Sequence, residues 1–150
     1  MAMEKRDLHN EVKKMKSLLE TTSRLIWEHP EVGGNEKESA DYFRKLLGGE
    51  GFKIVNEEHM ENAFYAEYGS GKPVIAILGE YDALPGLSQK VTDNKAPVAE
   101  GEPGHGCGHN LLGAAAAIGA IAVKRYLEAE GISGTVRFYG CPEEGLLSGK

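Results

Sequence analysis

The run from Leu111 to Val123 carries no charge and is built mainly of Ala, Leu, Ile and Gly. Alanine is the strongest helix former, and a helix with no polar face is stable only when most of its surface is buried. The fold must therefore wrap a core around this helix. Directly in front of it stands Gly104-His105-Gly106-Cys107-Gly108-His109-Asn110, with a thiol and an imidazole two residues apart and glycines beside the thiol. A sulfur ligand and an imidazole on pliable backbone suit zinc or a neighbouring divalent ion. Glycine lets so short a loop aim both side chains at one point, and a helix start behind Cys107 favours its thiolate. A lone Cys-Gly-His is more often structural than ligating, because zinc sites take three or four protein ligands. Partners have to come from elsewhere in the chain.

The 150 residues amount to one domain, and the net charge of −6 comes with no basic block. Nucleic acid and anionic membrane surfaces are therefore not expected partners. The start, Met1 to Asp7, is charged with both signs and has no apolar core of a secretory signal. The Leu111–Val123 run is shorter than the ~20 residues a membrane span needs. A cytoplasmic protein is expected. Cys107 and Cys141 could pair, but without secretory context free thiols or metal ligands are the expectation.

Along the chain, Leu8, Val12, Met15, Leu19, Leu25 and Ile26 recur at helical spacing and predict one amphipathic helix from about Asp7 to Trp27, stopped by His29-Pro30. Lys13, Lys14 and Lys16 fall largely off that stripe, as a solvated face. Asn35 with Glu38 resembles a capping box for a second helix, buried through Ala40, Phe43, Leu46 and Leu47 and closed by Gly48-Gly49. Strands are predicted at 52–55, 63–68, 74–78 and 135–139. The third, Val74-Ile75-Ala76-Ile77-Leu78, has the uninterrupted apolar character of a strand buried on both faces. The order predicts an α/β fold, helices on both sides of a mixed sheet. The stretch from Leu84 to Gly106 is long for a loop, and such loops tend to be functional.

Three polar clusters fall where α/β sheets collect ligands, beyond strand ends and at a helix start. Gly79-Glu80-Tyr81-Asp82 follows the third strand, Cys107 and His109 precede the Ala-rich helix, and Cys141-Pro142-Glu143-Glu144 follows the last strand. Acids at one strand end are ordinary solvated loop residues. At two strand ends, with Cys and His beside them, they point to a joint metal site. One glutamate can ligate while the other takes a proton from water and hands it to a leaving amine. Asp82 is the right group to accept a ligand histidine's ring N–H. Redox chemistry through Cys107 and Cys141 has no Cys-x-x-Cys motif behind it.

Residues 79–89, 104–110 and 134–144 together resemble the amidohydrolase branch of peptidase family M twenty, and the His29-Pro30-Glu31 turn resembles its N-terminal pattern. The resemblance implies a zinc-peptidase-like, three-layer α/β/α catalytic domain with a mixed sheet, here incomplete. It also implies two divalent ions (Zn, Mn or Co) and hydrolysis of an amide bond in an N-acyl amino acid or dipeptide-like small molecule. By position, Cys107 and His109 match metal ligands and Asp82 the acid beside the site. Glu143 matches the general base and Glu144 a ligand. The family usually writes Pro-x-Glu-Glu, whereas Pro142 is followed directly by both glutamates. The other alignment makes Glu144 the base and puts Gly145 in the ligand's place; Glu143 as base is adopted because both roles are then filled.

Family members run well past this length, so residues 1–150 are expected to be the N-terminal portion of a catalytic domain, without the lid or dimerisation domain. The competing expectation is an inactive fragment acting as a binding or self-associating module. A sheet edge left unpaired invites another copy, so a homo-oligomer is expected.

Overall fold

The computed structural model describes residues 5–146, with the side chains of 5–8 excepted. The side chain of Leu8 and the terminal Gly149-Lys150 thus lie outside the described residues. The elements are α1 (Lys5–Lys14), α2 (Lys16–Glu28), α3 (Lys37–Gly49), β1 (Lys53–Asn56), β2 (Phe64–Ser70), β3 (Val74–Glu80), α4 (His109–Glu130) and β4 (Gly134–Cys141), followed by a 3₁₀ turn at Glu144–Leu146.

The single N-terminal helix predicted from the apolar stripe is two helices. They break at Met15, whose N–H bonds the Val12 carbonyl, one residue short of the α-helical partner. The break lets the Met15 side chain enter the core while Val12 stays outside it. The capping box at Asn35 and Glu38 does not form. Glu31 caps α3 instead: its carboxylate accepts the N–H groups of Glu38 (2.9 Å) and Ser39 (2.8 Å) and the Ser39 hydroxyl (2.7 Å). A carboxylate satisfies these orphan donors and complements the positive end of the helix. At the other end, α3 runs through both Gly48 and Gly49, and Gly51, at φ +88°, supplies the left-handed residue.

The sheet is mixed, in the order β1-β2-β4-β3, with β1/β2 and β2/β4 antiparallel and β3/β4 parallel. The helices pack on one face. Phe43 of α3 meets Tyr81 and Phe138, and Phe138 meets Phe64, with ring centroids 5.6–5.8 Å apart. Ala114, Ala117, Ile118 and Ile121 of α4 fill the same core. The uncharged run is thus a largely buried helix, apart from the exposed Leu111, Leu112 and Ala115 near its start. On the other face Tyr65, Glu67, Arg137 and Tyr139 form their own half-buried layer, with Tyr65 on Tyr139 and Arg137 bonded to Glu67. No helix among the described residues covers that face. The mixed sheet and one helical layer of the α/β architecture are therefore present here.

The expectation that β3 is buried on both faces fails: Val74, Ile75 and Leu78 are 51%, 46% and 48% exposed. The reason is strand order. β3 pairs on one side only, with β4, and just one of its faces meets α4. The long segment after β3 is a closed excursion. Leu84 and Gly104 exchange backbone hydrogen bonds of 3.0 Å, and Ser88 N–H donates to the Glu102 carbonyl. Gly104 has to be glycine, since a Cβ there would lie 1.9 Å from the Leu87 carbonyl oxygen. No helix among the described residues is long and apolar enough to cross a membrane.

Candidate metal centre

β3 and β4 run parallel and side by side, so they end together, Glu80 being paired with Cys141. α4, which connects them, starts at the same end with His109. Gly108 at its N-cap is left-handed, at φ +77°, which turns the glycine loop onto the strand ends. Gly79 and Gly140 let the two strands approach the core closely here, because a Cβ on either would strike the ring of Phe138 or Phe64.

His109 is the centre of the group. Its Nδ1–H donates to Asp82 Oδ1 at 2.8 Å and lies 3.1 Å from the Asp82 carbonyl. That leaves Nε2 pointing the other way, 3.0 Å from Glu80 Oε2 and 3.6 Å from Glu144 Oε2. One ligand atom from each of Glu80, His109 and Glu144 lies within 4.8 Å of the others. His109 and Glu80 are buried, Asp82 almost completely, and Glu144 is half-buried. An imidazole edge facing two carboxylates, with a third fixing its tautomer, is the donor set a divalent cation of the zinc or manganese kind takes. The residues fit such an ion.

The sequence-derived candidates distribute as follows. His109 and Glu144 meet, and Asp82 stands behind His109. Cys107 is exposed and stands outside the three-residue group. Glu143 also stands outside it; its backbone is left-handed at φ +58°, costing about 1 kcal/mol for a residue with a side chain. Cys141 is buried, and no disulfide joins it to Cys107. Glu80 belongs to the polar cluster that follows the third strand, but the sequence assigns it no role of its own. The signal for it was that β3 could run two residues past its apolar stretch, which carries Glu80 under the start of α4.

Buried polar contacts fix the surroundings. Asp82 Oδ2 accepts the Gly145 N–H at 2.8 Å, so one carboxylate holds both the histidine and the turn that carries Glu144. Glu36, fully buried, accepts the Glu143 N–H at 2.7 Å and the Asn62 amide at 3.3 Å; burial pushes its carboxyl above the usual range. α2 secures the glycine loop: His105 Nε2 lies 3.0 Å from the Ile26 carbonyl and Asn110 donates to the Ser23 hydroxyl at 3.0 Å. The Ile26 carbonyl can only accept, so Nε2–H is the donor, and burial pushes His105 below its ordinary value.

No family model matches the chain. Among curated proteins, it is 55% identical over 127 residues to a subunit of the p-aminobenzoyl-glutamate hydrolase of Escherichia coli, covering 83% of this chain and 26% of that protein. It is 33% identical over 130 residues to N-acetylcysteine deacetylase of Bacillus subtilis, covering 84% and 33% respectively. A solved Bacillus subtilis protein, described as a dinuclear metal binding peptidase from the M twenty family, superposes with a TM-score of 0.70 at 29% identity. That match covers 91% of this chain and 41% of the other. The chain thus spans about a quarter to a third of these curated relatives' length.

Proposed function

We propose a function for a chain that is related, in sequence and fold, to the metal-dependent amidohydrolases of peptidase family M twenty. The reading is that these residues supply one side of a metal-dependent amidohydrolase site, for the amide bond of an N-acyl amino acid or dipeptide-like molecule. The observation that carries it is the Glu80–His109–Glu144 group with Asp82 bonded behind the histidine. Aminobenzoyl-glutamate, named in one relative, is a substrate of the proposed chemical type, an aryl acid in amide linkage to an amino acid.

Glu80, His109 and Glu144 would hold a divalent cation, and Cys107, two residues before His109, is the proposed ligand toward a second one. When bound, such an ion supplies Lewis acidity toward the substrate carbonyl and lowers the pKa of water. Asp82 keeps the His109 proton on Nδ1 and so keeps Nε2 a donor atom. Glu143, beside Glu144 on the same turn, is the proposed base: its carboxylate takes a proton from the attacking water and returns it to the departing amine. Tyr81, Ala83 and Pro142, the neighbours in sequence of Glu80, Asp82 and Glu143, are buried.

The experiment is metal content by elemental analysis after loading with zinc, manganese or cobalt. The wild-type chain retains the ion, and His109→Ala loses it. Cys107→Ala lowers the stoichiometry toward one. Equal metal content in the wild type and in His109→Ala defeats the reading. Turnover of an acyl-amino acid by the isolated chain would separate an active portion from an inactive binding module.

A further inference from the structure

Two buried carboxylates from different parts of the chain hold the turn after β4, at the amides on either side of Glu144. Glu36 Oε1, from the segment leading into α3, accepts the Glu143 N–H at 2.7 Å. Asp82 Oδ2, from the end of β3, accepts the Gly145 N–H at 2.8 Å. The turn itself closes through Leu146 N–H on the Glu143 carbonyl at 3.0 Å. The backbone of Glu143 is left-handed, a conformation that a residue with a Cβ adopts only where surrounding contacts impose it. Gly33 and Gly34 pack closely against this turn: a Cβ on Gly33 would sit 3.4 Å from the Glu143 Cα and 3.1 Å from Leu146. The pair leaves room for the turn to approach the loop that carries Glu36.

We propose that Glu36 is a positioning residue for the candidate metal centre. Its carboxylate pins the Glu143 amide, fixes the left-handed turn, and thereby aims the Glu144 carboxylate at His109. Glu36 is not one of the three candidate ligands, and it meets the turn at the backbone N–H of Glu143. Asp82 serves the same turn and also orients His109, so the two carboxylates together set histidine and glutamate relative to each other. The proposal rests on the metal-centre reading for its consequence, and on the backbone geometry alone for the clamp.

The test uses the 150-residue chain with cobalt(II) as the probe, and two readouts. Amide hydrogen exchange at Glu143 is followed in the metal-free chain; cobalt affinity and visible absorption bands are followed on titration. The wild-type Glu143 amide is expected to exchange slowly, and ~10-fold or more faster in Glu36→Ala. The same variant is expected to bind cobalt ~10-fold more weakly with shifted bands, while Glu36→Gln recovers to within about threefold: its amide oxygen still accepts the Glu143 N–H, and its NH₂ meets the otherwise unpartnered Asn62 Oδ1 once the Asn62 amide turns over. A wild-type Glu143 amide exchanging like an exposed one overturns the proposal, whether or not Glu36→Ala folds. So does a folded Glu36→Ala chain with unchanged cobalt affinity and spectrum. A wild-type chain that binds no cobalt, yet protects Glu143 through Glu36, removes the metal reading and still supports the clamp.

Discussion

Asp82 is the residue on which most of the candidate site converges. Each of its two oxygens accepts one hydrogen bond, from His109 Nδ1–H and from Gly145 N–H. A carboxylate can accept both; an amide of the same shape has one accepting oxygen and one donating nitrogen. In Asp82→Asn one of the two N–H groups must therefore face an NH₂, inside a site where Asp82 is 2% exposed. Metal affinity in Asp82→Asn is expected to fall ~10–100-fold, with less effect on secondary structure. Isothermal titration with zinc, paired with circular dichroism, measures both; an unchanged zinc Kd would show that the carboxylate does not govern the histidine. The bond between Asp82 and His109 is the one that residue types alone suggest, because a carboxylate is the group best suited to accept an imidazole N–H. The second bond of Asp82 is not readable, since nothing in the sequence joins residue 82 to residue 145.

The elements were legible where the pattern is local, and obscure where it depends on neighbours. β1, β2 and β4 fall within two residues of the apolar stretches that announce them, and α4 follows from its uncharged run. Strand order was not legible, because an apolar strand reads the same at an edge as in the middle of a sheet; β3 is the case in point. Glu80 was obscured for a related reason, as a glutamate two residues past an apolar run looks like a loop. The α3 cap shows the same limit. The Asn35/Glu38 spacing satisfied a local rule, but the acceptor came from Glu31, on the His29-Pro30-Glu31 turn. Replacing Glu31 by Ala removes the acceptor for two backbone N–H groups and a hydroxyl at once. A loss of about 1–2 kcal/mol is expected, the usual cost of an N-cap together with its dipole term. Urea unfolding measures it, and Asn35→Ala serves as the control that costs about 0.5 kcal/mol or less. A larger loss in Asn35→Ala than in Glu31→Ala would return the cap to the sequence-based assignment.

At the scale of the whole molecule, the described residues build a sheet with a helical layer on one face and a second face of Tyr65, Glu67, Arg137 and Tyr139. β3 stands at one edge with Val74, Ile75 and Leu78 exposed. A strand edge offers a row of backbone donors and acceptors, and proteins usually blunt such edges with charge, proline or a bulge. Along Val74–Leu78 there is no charge to do so; Lys72 and Pro73 precede the strand and Glu80 lies at its buried end. The 150-residue chain is therefore expected to self-associate through β3, pairing edge to edge with a second copy. Sedimentation velocity over a wide concentration range should show a concentration-dependent shift to a dimer or larger species. Ile75→Lys places a charge in the middle of the exposed edge, where pairing would bring two such charges together. That variant is expected to sediment as a monomer while unfolding at nearly the wild-type urea concentration, because Ile75 is already 46% exposed. The candidate ligands Glu80, His109 and Glu144 lie at the far end of β3, so zinc binding by the variant should match the wild type. A wild-type chain that stays monomeric at high concentration, or an Ile75→Lys chain that associates as strongly as the wild type, excludes β3 as the contact.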